Sequence, residues 1–172
     1  MLFEVDNNSD VSVHKKFNFK LYDEEGVLAG EIESEIKHVF PHKKAFGKSV
    51  YIGNDYAKFD YEVETRAITD KIDYYTDKIK VISSKVENDK IKVQVLNDSG
   101  QLVSEMKYAV LYYNKQKEII GYNEVIRYNI NENTTVEDFF DNYVDDGKFN
   151  KVKYDHYEVV VNYAFYYDDF SE

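Results

Sequence analysis

The sequence predicts an all-β protein built from two copies of one repeat. Three observations carry that reading. In several stretches apolar side chains recur at every second position, the spacing of a strand with one buried face. The 17 tyrosines and 11 phenylalanines suit pleated, half-buried surfaces. The two halves of the chain also share one succession of strands and turns, which is how a duplicated unit shows itself in sequence. With a single proline, Pro41, and seven glycines, little of the chain is left for a linker.

The first copy opens on Leu2–Val5, a short alternating strand followed by the polar turn Asp6-Asn7-Asn8-Ser9-Asp10. His14–Tyr22 comes next, with Phe17, Phe19 and Leu21 on one face. Asp23-Glu24-Glu25-Gly26 reads as a hairpin turn, because Asp opens a short polar loop between two apolar runs. The chain returns over Val27–Ile36, the stretch 44–52 reads as a further strand, and Tyr56–Ile68 closes the copy.

In the second copy Lys90–Leu96 matches Leu2–Val5, with Asn97-Asp98-Ser99 in the turn. Glu105–Tyr113 carries Tyr108, Val110 and Tyr112 on one face, matching Phe17, Phe19 and Leu21. The turn Asn114-Lys115-Gln116-Lys117 and the return Ile119–Tyr128 complete the second hairpin. Gly26 takes positive φ cheaply and Lys117 does not, so the two hairpins are expected to differ in turn type. Lys153–Tyr167 is the last strand, its Tyr157-Glu158-Val159 echoing Tyr61-Glu62-Val63. Val95 lies 90 residues after Val5 and His156 lies 96 after Asp60, a drift that small loop insertions explain. The second copy also has a leading strand, Lys78–Val86, for which the first has no residues left. The first copy is therefore expected to lack its opening strand, either because the chain begins inside a longer polypeptide or because another segment fills that place. Segment 134–143 keeps two readings. Its place in the repeat favours a strand, whereas Thr134-x-x-Glu137 and the apolar residues at 136, 139, 140 and 143 fit a short helix near 135–143.

These residues carry a family resemblance. Phe19-Lys20-Leu21-Tyr22-Asp23 reads as the FxLYD motif, preceded by the Val-x-Asn-x-Ser turn of Val5-Asp6-Asn7-Asn8-Ser9. The second copy resembles it more loosely, with Val110-Leu111-Tyr112-Tyr113-Asn114 in place of the motif. FxLYD domains are immunoglobulin-like β-sandwiches of exported proteins and lipoproteins, mostly bacterial. The resemblance implies two tandem immunoglobulin-like sandwiches, residues 1–72 and 73–172, in a secreted or surface-attached, non-enzymatic module. It implies no ligand and no catalytic residues.

Net charge is −11, against nucleic acid, whose phosphates need clustered Lys and Arg. The absence of cysteine excludes thiol catalysis, disulfides and cysteine-based zinc sites. No apolar run is long enough to insert in a membrane as a helix. Ser12, His14 and Asp10 are neighbours in sequence rather than a converging triad, and Pro41 interrupts any helix that would pair His38 with His42 on a metal. The expected metal set is none. Asp141, Asp145 and Asp146 are the weak calcium candidates, with Asp168 and Asp169 near the end, although no D-x-D-x-D-G loop appears. Each adjacent tyrosine pair should expose one ring. Tyr112, Tyr113, Tyr166 and Tyr167 are accordingly the candidate binding surface.

The chain is expected to be a non-enzymatic binding or spacer module of a secreted or cell-surface bacterial protein. It should need no cofactor, and its partner would be a protein or a cell-wall glycan. A homodimer through the open edge of the first copy is a further expectation. The rivals are a purely structural stalk and a carbohydrate-active hydrolase. The latter would need a cleft of converging carboxylates.

Overall fold

Alternating sequences of this kind satisfy their backbone by pairing, and the computed structural model shows how. It describes residues 1–53, 55–69, 72–145 and 150–167. The chain divides into two compact units, Met1–Thr69 and Asp70–Glu172. Apart from one 3-10 turn, Thr76–Lys78, the regular elements are strands, and every pairing is antiparallel among the described residues. No helix among these residues is long and apolar enough to cross a membrane. The fold is all-β.

Unit 1 contains β1 (Leu2–Asp6), β2 (Val13–Tyr22), β3 (Leu28–Val39), β4 (Lys44–Lys48) and β5 (Lys58–Ala67). One sheet has the order β3-β2-β5; the other is β1-β4. Phe17, Phe19 and Leu21 of β2 point between the sheets and meet Val5 and Ala45. Phe3, half-buried, lies opposite Gly47, and its ring occupies the space where a side chain at 47 would be.

Unit 2 contains β6 (Ile72–Tyr74), β7 (Ile79–Glu87), β8 (Lys90–Asn97), β9 (Val103–Tyr113), β10 (Ile119–Ile130), β11 (Thr135–Asp141), β12 (Val144–Asp145), β13 (Lys151–Val152) and β14 (His156–Tyr167). Its sheets are β10-β9-β14-β6 and β11-β8-β7, with β12-β13 as a small ribbon. Ile91, Val93 and Val95 of one sheet face Tyr108, Val110 and Tyr112 of the other.

The repeat is visible down to side-chain bonds. Buried Asn97 receives the Ser99 main-chain N–H at 3.1 Å and the Ser99 hydroxyl at 2.6 Å on its Oδ1. Its amide donates to the carbonyls of Gln101 (2.9 Å) and Ile130 (3.0 Å). Asn7 repeats this with Ser9, Val11 and Val39, at 2.7–3.1 Å. Each asparagine thus closes its own turn and ties it to the end of the third strand of the repeat.

Two expectations need correction. Segment 134–143 contains a strand, Thr135–Asp141, and not a helix. β11 pairs with β8 along its length, Val136, Asp138 and Phe140 turn inward, and Phe139 stands 57% exposed. Glu137 is no capping residue; it bonds Gln94 and Lys92 across the strand pair, each at 2.9 Å. The two hairpin turns are also alike. Lys117 takes φ 63° where Gly26 takes 83°. Asp23 Oδ1 accepts the N–H of Glu25 and Val27 at 3.0 and 2.8 Å, and Asn114 Oδ1 accepts those of Gln116 and Glu118 at 3.0 and 2.9 Å. The side-chain acceptor sets this turn, and Lys117 bears the strain.

Candidate binding surfaces

β5 alternates Phe59, Tyr61 and Val63 on one face, and pairing places them opposite Leu21, Phe19 and Phe17 of β2. They therefore belong to the inner face of the sheet. The Phe19 ring lies 6.2 Å from Phe59 and 6.0 Å from Tyr61. Yet Phe59, Tyr61 and Val63 are 46%, 60% and 41% exposed. In unit 2 the residues at the same register are Tyr157, Val159 and Val161, opposite Tyr112, Val110 and Tyr108, and they are packed against the core. Unit 1 thus leaves uncovered an aromatic inner face that its repeat covers. Val50 and Ile52, in the connection that leads to β5, are also exposed.

Among the described residues β1 pairs with β4 alone, and its other edge adds a second feature. Met1 exchanges bonds with Ser49 at 2.8 and 2.9 Å, and Asn7 donates to Lys43 at 3.0 Å, so residues 1, 3, 5 and 7 turn their main-chain groups toward β4. Leu2, Glu4 and Asp6 direct theirs the other way. There the Asp6 carbonyl accepts from Lys15 at 3.2 Å. Unit 2 places β7 along the matching edge of β8.

The tyrosines expected as a surface are not gathered into one. Tyr112 is fully buried and donates its hydroxyl to the Asp141 carbonyl at 2.6 Å. It belongs to the core, and burial pushes its pKa up to about 12. Tyr113 is half-buried and stacks on His156, centroids 4.8 Å apart. Tyr166 is half-buried and Tyr167 exposed, at the opposite end of β14 from His156. At about 3.3 Å per residue these pairs lie roughly 30 Å apart along the strand.

The candidate calcium ligands do not converge either. The Asp141 carboxylate holds the Lys90 ammonium, and Asp145 is an exposed residue of β12. Asp146, Asp168 and Asp169 lie outside the described residues. Among the described residues no three His, Asp or Glu side chains could share a metal ion. Asp10 pairs with His42 at 2.9 Å, His14 with Glu35 at 3.1 Å, and Ser12 is buried, so these groups form no triad.

One polar cluster escaped sequence reasoning. Buried Asp138, on β11, accepts bonds from the Tyr108 hydroxyl and the Arg127 guanidinium, joining the two sheets of unit 2. Burial and the neighbouring carboxylate push the Tyr108 hydroxyl upward, and the bond to Asp138 raises Arg127. The only sequence signal was an Asp on the inward parity of a strand. The Tyr108 hydroxyl and Arg127 Nε and Nη2 all donate to the carboxylate, so the cluster acts as a cross-sheet tie. No protein-family model matches the chain, and no curated protein is similar to it in sequence.

Proposed function

We propose that the chain is a non-enzymatic binding module that engages a protein segment through the uncovered face of unit 1. The observation that carries this is the run Phe59, Tyr61 and Val63, three large apolar residues on the inner parity of β5 yet 41–60% exposed. Tyrosine and phenylalanine supply much of the energy at protein contacts, and a contiguous apolar patch of this kind is costly to leave in water. A setting among exported or cell-surface proteins fits the FxLYD-like motif at Phe19–Asp23 and the immunoglobulin-like order of strands. Both units use their motif residues for packing and turn closure, which is what a scaffold requires.

The test is to pan a displayed library of random 16-residue peptides on the full chain. Binders should emerge that lose at least about ten-fold in affinity for Tyr61→Ser and keep it for Phe139→Ser, an exposed control in unit 2. If no peptide enriches and cell-wall fragments raise the melting temperature instead, the partner is a glycan. If neither binds, the chain is a spacer.

A further inference from the structure

We propose that unit 2 links two of its own strands covalently, through an amide between the Lys107 side chain on β9 and the Asn162 side chain on β14, with release of ammonia.

The comparison of the two copies singles out these residues. Each copy carries a lysine on the outward parity of its central strand, paired with a glutamate of the neighbouring strand. Lys16 meets Glu33 at 3.0 Å in unit 1, and Lys107 meets Glu124 at 2.5 Å in unit 2. The first pair is an ordinary surface contact, its lysine side chain 47% exposed, whereas that of Lys107 is 16% exposed. β5 pairs with β2 without a break and sets Glu64 opposite Lys16. β14 breaks its register at the matching place. Val161 lies opposite Tyr108 and Tyr163 opposite Lys107, so a bulge inserts Asn162, 6% exposed, beside the lysine. Bulges re-aim a side chain at the expense of the ladder. Tyr122, opposite Leu111 on β10, stands where unit 1 has Glu31 opposite Lys20. The lysine and the glutamate are thus common to both copies, and the carboxamide and the phenol belong to unit 2 alone.

These four groups form one hydrogen-bonded chain. Glu124 Oε2 accepts from the Lys107 ammonium and from the Tyr122 hydroxyl, and that hydroxyl accepts from Asn162 Nδ2 at 3.0 Å. The chain runs from the nitrogen that attacks to the nitrogen that leaves. Asn162 Oδ1 has no hydrogen-bond partner among the described residues, so the carboxamide is held through its nitrogen alone. Residues directly opposite on paired strands have β-carbons about 5 Å apart, a distance that a lysine side chain spans.

Glu124 takes a proton from the Lys107 ammonium, and the freed amine forms a bond to the Asn162 carboxamide carbon. The new C–N centre then gives up a second proton. The bond to Nδ2 breaks with its electron pair left on that nitrogen, which takes a proton from Tyr122 as Tyr122 takes one from Glu124. Burial and the neighbouring Glu124 push the Tyr122 hydroxyl upward, so it gives a proton only as it gains one. One ammonium side chain and one carboxamide become one secondary amide and one ammonium ion, with no oxidant or cofactor.

The full chain, refolded and incubated, should weigh about 17 Da less than its unlinked form, the mass of one ammonia. Its protease digest should contain a branched peptide that joins the stretches holding Lys107 and Asn162. Lys107→Arg keeps a cation beside Glu124 but has no attacking amine. It should restore the full mass while the Met106 methyl group keeps its native shift. Tyr122→Phe interrupts the proton path and should slow the mass loss during refolding by at least about 100-fold. A wild-type chain at full mass would overturn the proposal. So would a digest without the branched peptide, or an ammonia loss that persists in Lys107→Arg, the mark of a cyclic imide at an asparagine. Linking at an undiminished rate in Tyr122→Phe would overturn the assigned relay.

Discussion

At the scale of single residues, the paired hairpin turns isolate one backbone cost. Gly26 and Lys117 occupy the same left-handed position in turns closed by the same side-chain acceptor. A β-carbon at 26 would meet nothing closer than Lys58 Nζ at 3.7 Å, so space is not the constraint there. The cost of a side chain is conformational, about 1 kcal/mol. Lys117→Gly should stabilise unit 2 by roughly 0.5–1 kcal/mol, and Gly26→Ala should destabilise unit 1 by about 1 kcal/mol, both read from urea unfolding. Equal effects of the same sign would show that the turns are not equivalent. The acceptors were legible in sequence, because Asp23 and Asn114 stand at matching places. The lysine's φ was not, because residue type alone does not reveal that a neighbour's carboxamide already fixes the turn.

Whole elements were read best where burial is one-sided. β2 and β9 declare themselves by Phe17-x-Phe19-x-Leu21 and Tyr108-x-Val110-x-Tyr112, and the described strands reproduce those faces. β11 was ambiguous because Phe139 and Phe140 are adjacent, a pairing that fits a helical stripe as well as a strand with one exposed ring. The structure separates them. Phe140 is 6% exposed and lies edge-on to Tyr108 at 6.1 Å, while Phe139 lies outside beneath Lys92, 5.8 Å from its ring. Phe140→Ala should therefore cost about 3–5 kcal/mol, and Phe139→Ala under about 1 kcal/mol. Similar losses at both positions would favour the helical stripe instead. The uncovered face of β5 was not legible. Its alternation reads as an ordinary buried strand, and only the comparison with β14 shows that the expected cover is missing. Tyr112 was expected at a surface although the parity of Tyr108-x-Val110-x-Tyr112 already set it on the buried face of β9 and left Tyr113 on the other.

For the whole molecule, the two copies differ in both the size and the chemistry of their cores. Among the described residues eight buried side chains form the unit 1 cluster and thirteen that of unit 2, so unit 1 should unfold first on heating at neutral pH. The aromatic core of unit 1 rests on Phe17 and Phe19, which have no proton to lose. Unit 2 buries Tyr108, Tyr112, Tyr122 and Tyr163, all with hydroxyl pKa values pushed up by burial, Tyr112 to about 12. An unfolded tyrosine ionises near pH 10. A folded value above that means the protonated side chain stabilises the fold fully below about pH 10, and the contribution is lost as pH climbs toward 12. For Tyr112 alone the loss is about 2–3 kcal/mol, or roughly 10 °C or more for a unit of about 100 residues. The methyl signals of Leu21 and Met106, both fully buried, report on the two units separately. At pH 7 the Leu21 signal should lose its native shift at the lower temperature. At pH 11 the Met106 transition should move down toward it, and Tyr112→Phe should recover part of the gap. A single shared transition at both pH values would mean that the units do not unfold separately. A gap unchanged by pH would mean that the buried hydroxyls contribute nothing to the stability of unit 2.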